Sequence, residues 1–81
     1  MKFVWEEKDI QAGVRYSREG ISEVWIISWM VQDVGPNHAE YRWSSTSLED
    51  GMTTPGSDKA NMVRMLNEAA YVPVKFMGSL R

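Results

Sequence analysis

The stretch "EVWIISWMV", Glu23–Val31, decides how this sequence is read. Seven of its nine residues are apolar and two of them are tryptophan. β-Branched and aromatic side chains dominate it, which favours a strand over a helix. Side chains alternate along a strand, so Trp25, Ile27, Trp29 and Val31 share one face, while Val24, Ile26, Ser28 and Met30 share the other. A strand with one wet face alternates apolar with polar, and this one hardly does. Both faces therefore call for cover, in a chain of only 81 residues.

Working outward, the strand spans "SEVWIISWMV", Ser22–Val31. "VRYS", Val14–Ser17, reads as a strand before it, joined through a turn at Arg18–Gly20. Gly35-Pro36-Asn37 ends it. "AEYRWSSTSL", Ala39–Leu48, is a third strand with clear alternation. Tyr41, Trp43, Ser45 and Ser47 lie on one face; Glu40, Arg42, Ser44 and Thr46 lie on the other, wetter one. Asp50-Gly51 is a turn signal leading to a short fourth strand, Met52–Thr54. Ser57 is a natural N-cap, with Asp58 in the first turn of a helix. Met62, Val63, Leu66, Ala69 and Ala70 form its buried stripe. Pro73 ends it near Ala70 or Tyr71.

The expected architecture is α+β: a small antiparallel sheet of three to four strands, then one C-terminal helix packed on one face, then an extended tail. One domain holds the whole chain, divided as an extended arm (1–12), a β-meander (13–54), a helix (57–71) and a tail (72–81).

Composition narrows the function. There is no cysteine, so neither disulfides nor thiolate metal sites are available. A core of this size supplies only ~3–5 kcal/mol without a staple, which leaves packing or oligomerisation. The formal charge is −2, and none of the nine Lys and Arg residues adjoins another, which opposes generic nucleic-acid affinity. Apolar runs are too short to span a membrane. "MKFVWEEKDI" turns acidic at once, unlike a secretory signal, so the cytoplasm is the expected location.

The candidate chemistry is thin. His38, the single histidine, lies two residues from Glu40 and forms an acid–base pair only in outline. "SSTS", Ser44–Ser47, sits mid-strand rather than on a strained nucleophile turn. The carboxylates at Glu6, Glu7 and Asp9 and at Glu49 and Asp50 lack calcium-loop spacing. No glycine pattern cradles a phosphate. No enzyme activity, cofactor or metal is expected.

The reading that follows is a small protein-interaction module, self-associating as a homodimer. Its surface candidates are Trp25, Ile27, Trp29, Val24, Ile26 and Trp5. The competing cover for the second sheet face is the N-terminal arm, through Phe3, Val4 and Trp5, or the tail, through Val74 and Phe76. The alternative partner is DNA. The strands "VRYS", "VWIISW" and "EYRWSS", followed by the helix from Asp58, resemble in order the AP2-type and phage-integrase arm-binding domains. That resemblance implies groove recognition from the sheet, here through Arg15, Arg18 and Arg42.

Overall fold

The computed structural model describes residues 3–77; residues 1–2 of the expected arm and 78–81 of the expected tail lie outside them. The fold is α+β. Strands β1 (Arg15–Ser17), β2 (Trp25–Gly35) and β3 (His38–Ser47) precede helix α1 (Lys59–Glu68), and strand β4 (Val72–Pro73) and a single-turn helix α2 (Val74–Met77) close the chain. The sheet is antiparallel, in the order β3-β2-β1-β4.

Two expectations about the strands change. The expected fourth strand at Met52–Thr54 is not a full strand. It runs along the outer edge of β3 and pairs only at the Thr46–Thr53 and Trp43–Ser57 bridges. Pro55 and Gly56 interrupt it, since proline has no N–H for a ladder. The fourth strand instead comes from the expected extended tail: Val72 and Pro73 pair with Ser17 and Tyr16. Proline is accommodated there because β4 lies at the sheet edge. The tail then turns helical at Val74 rather than staying extended.

Helix α1 begins one residue later than expected. Asp58 is the N-cap, accepting a hydrogen bond from the Asn61 amide at 2.7 Å. Met62 and Leu66 are the buried positions of its stripe, with Val63 and Ala69 half-buried and Ala70 exposed. Ala70 is spent on the helix end. It adopts a left-handed φ of 59°. Its amide bonds to the Asn67 carbonyl (3.2 Å), and the Tyr71 amide to that of Leu66 (3.0 Å). This pair of bonds is the Schellman closure, in a position usually held by glycine.

The register settles which face the helix covers. Trp25 lies opposite Ser47, Ile27 opposite Ser45, Trp29 opposite Trp43 and Val31 opposite Tyr41, so all eight share the tryptophan face. Ile27 joins Met62 and Leu66 in the core with Trp5, Ile10 and Tyr16. The helix and the N-terminal arm therefore cover the same face, side by side. The arm is not merely extended: Glu7–Asp9 form a 3-10 turn that swings Ile10 inward.

Trp5 is the wedge of that arm, with only 2% of its surface exposed. Its indole N–H donates to the Tyr71 carbonyl (2.8 Å) and its amide to Asn67 Oδ1 (2.7 Å), while Asn67 Nδ2 donates back to the Trp5 carbonyl (3.2 Å). Its ring meets Phe3 and Tyr16 edge-on, at 5.1 and 6.0 Å between centroids. A buried tryptophan needs a partner for its N–H, and the end of α1 supplies it.

The opposite sheet face is closed partly by the 52–57 segment. The Ser44 hydroxyl donates to the Thr54 carbonyl at 2.7 Å. Gly56 passes so close that an added Cβ would lie 2.7 Å from the Arg42 Cβ. Ser44 is thus buried although alternation puts it on the wetter face; Ser45 and Ser47, on the tryptophan face, are buried too. Ser47 donates to Glu23 Oε2 at 3.1 Å.

Candidate interaction surface

The hairpin of β2 and β3 outruns its cover. The molecule measures 50 × 26 × 18 Å, and its radius of gyration is 13.5 Å. A compact chain of this length would have ~12 Å. Strand β1 reaches only as far as Ile27, whose N–H and carbonyl are taken by Val14 and Gly13. On the other side, the last backbone pair to β3 is Ser57 with Trp43. Beyond these points, among the described residues, no third strand pairs with the two-stranded ribbon of the hairpin.

Its tryptophan face stays apolar past the end of the core. Trp29 is 53% exposed, Val31 58% and Tyr41 73%. Trp29 and Tyr41 meet at 88° with ring centroids 5.0 Å apart. Trp43, half-buried, completes an open cleft of about 350 Å³ with them. The Lys59 ammonium stands 5.0 Å above the Trp43 ring, a cation–π contact that ties the start of α1 to the root of the ribbon.

The sequence candidates divide sharply. Trp5 and Ile27 are in the core, and Trp25 is half-buried against it. Val24 and Ile26 are half-buried. Only Trp29 among the six is widely exposed. Val31, Tyr41 and Trp43, which join it, were not singled out as surface residues. The signal existed, since alternation already put Tyr41 and Trp43 on one face of the third strand. Register was missing, and register is what sets that face beside Trp29.

The arginines are dispersed. Arg15 is exposed on the face opposite Trp25. Arg18 donates to the Ala69 carbonyl (3.3 Å) and lies over the Tyr71 ring, bracing the helix end. Arg42 pairs with Glu40 at 2.8 Å. His38 and Glu40 do share a strand face, 3.3 Å apart, but both are open to solvent. Among the described residues no three His, Asp or Glu side chains gather as a metal site. No helix among them is long and apolar enough to cross a membrane.

No family model matches the chain, and neither a curated protein nor a solved structure resembles it closely enough to count as a match. A two-stranded hairpin is marginal in water on its own. This one carries its exposed aromatics on one side, where a contact would bury them.

Proposed function

We propose that the protein is a small non-enzymatic interaction module that works by binding protein through the distal half of its β2–β3 hairpin, and that its first partner is a second copy of itself. The observation that carries this is the Trp29–Val31–Tyr41 row, which stays exposed among the described residues. Each large apolar side chain fully withdrawn from water contributes ~1.5–3 kcal/mol. An interface confined to half a hairpin falls at the small end, below ~1,200 Å², which suits transient association. A cytoplasmic setting accompanies this reading, supported by the absence of cysteine.

Sedimentation velocity over a dilution series tests it. The wild-type chain is expected to shift from monomer to dimer in the micromolar range, and Trp29→Glu to remain monomeric while folding normally. A wild-type chain that is strictly monomeric at millimolar concentration would refute self-association.

A further inference from the structure

The ribbon has open edges as well as an open face, and hydrogen-bond parity shows which residues they present. In an antiparallel pair, residues whose N–H and C=O point outward alternate with those bonded across the pair. Ile27 uses its outward groups on β1 and Trp43 uses its own on Ser57. Counting on by twos, Trp29, Val31 and Asp33 present N–H and C=O along the outer edge of β2, and Tyr41 and Ala39 do so along β3. Among the described residues nothing pairs with them.

From this edge we infer that two copies join by antiparallel pairing of β2 with β2, about a two-fold axis at Gln32; the inference rests on the self-association proposed above. The open groups specify a β-strand as the occupant, and three features specify this strand. Charge is the first. Self-pairing on the β3 edge would centre on Glu40, between Ala39 and Tyr41, and like charges directly opposed are destabilising. The β2 edge centres on a neutral glutamine, and the strand's one charge, Asp33, never meets its own copy. The lack of edge protection is the second. Strand edges exposed by nature carry charges, proline or bulges, and the β2 edge has no proline, lysine or arginine before the bulge between Asp33 and Gly35.

Reach is the third feature, and it selects the register. With Val31 opposite Val31 of the second copy, Asp33 of that copy would fall opposite Trp29, and its bulge and turn would run into Ile27, where Val14 already sits. Moving the axis to Gln32 places Val31 opposite Asp33 of the second copy, and brings the turn that follows that copy's bulge beside Trp29. The incoming strand then ends at its own turn just where β1 stops. The indole of each Trp29 is brought against the Gly35-Pro36 turn of the other copy, where glycine leaves room. Both tryptophan faces lie on the same side of a continuous four-stranded ribbon.

A cysteine-free chain makes the test direct. At the two-fold axis Gln32 would face its own copy in a non-hydrogen-bonded pair, with Cα atoms ~4.5 Å apart, inside the range a disulfide spans. Gln32→Cys and a control, Glu49→Cys in an exposed turn, are each oxidised at the concentration where wild type is dimeric. Gln32→Cys is expected to cross-link on the order of tenfold faster, by effective concentration. Amide exchange at Trp29, Val31 and Asp33 is expected to slow as wild-type concentration rises. Dimerisation with equal cross-linking rates and unchanged exchange would overturn the edge pairing while leaving self-association standing. A strictly monomeric wild type would overturn both.

Discussion

Removing the Trp5 side chain should unfold most of the protein, although the residue is fifth in the sequence and precedes every strand. Trp5→Ala withdraws a side chain that is 2% exposed and touches Phe3, Tyr16 and the end of α1. Truncating a buried tryptophan costs ~3–5 kcal/mol. It also strips the Tyr71 carbonyl of its indole donor, a further ~1 kcal/mol. A core of this size holds only ~3–5 kcal/mol in total, so the sum reaches or exceeds the reserve. Trp5→Phe separates the two contributions. It keeps most of the apolar area and loses the N–H donor, so a cost of ~1–3 kcal/mol is expected, leaving a folded but weakened chain. Urea unfolding followed by far-UV circular dichroism at a fixed low concentration measures both, without mixing in association. Trp5→Ala melting within a few degrees of wild type would show that the arm is an appendage, and that the sheet, α1 and Ile10 suffice.

Four further outcomes are expected. Ala70→Gly should raise the melting temperature by several degrees, because glycine relieves ~1 kcal/mol of left-handed strain at the Schellman position; no gain in a thermal scan would contradict the closure described for α1. Leu66→Ala should cost ~2–5 kcal/mol in the same urea assay, and a near-neutral result would mean that the helix presents a different face to the sheet. Burial pushes the Tyr16 phenol above its usual 10.0, with the neighbouring Ser45 hydroxyl opposing the shift and Tyr71 adding to it. The folded chain thus holds this proton more tightly than the unfolded one, so its contribution is complete below pH 10 and is lost as pH rises through the folded value; urea midpoints at pH 8–11 should fall less steeply for Tyr16→Phe than for wild type. Trp29→Glu should cost no more than ~1–2 kcal/mol of monomer stability, since the residue is half in solvent and loses mainly its ring contact with Tyr41; a larger loss would make the ribbon a structural part of the core.

Local chemistry carried the element types a long way. The alternation in Ala39–Leu48, the break at Gly35-Pro36 and the spacing of Met62 and Leu66 each rest on neighbours in sequence, and each appears in the fold at or near its expected place. Asp50-Gly51 likewise forms its turn, with Gly51 at a φ of 76°. The two-sided apolar character of Glu23–Val31 announced that the sheet would need more than a helix. Sequence by itself therefore determined an antiparallel sheet, one main helix and an excess of aromatic surface.

Three matters belonged to the tertiary structure, because each depends on what meets across a distance in the chain. The arm could have covered either face of the sheet. It took the helix's face, where the indole of Trp5 donates to a carbonyl 66 residues away at Tyr71. The identity of the fourth strand turned on whether β1 had an open side, which no local pattern states; Val72 and Pro73 filled it, and Met52–Thr54 stayed outside the named strands along β3. Where the core stops was the last. Trp25 and Trp29 occupy equivalent positions in the strand alternation, yet one packs against the core and the other stands in solvent. Periodicity tells which way a side chain points. How far along the strand its cover extends is set by the length of α1 and the reach of β1, and that boundary turns one end of an apolar strand into core and the other into a surface.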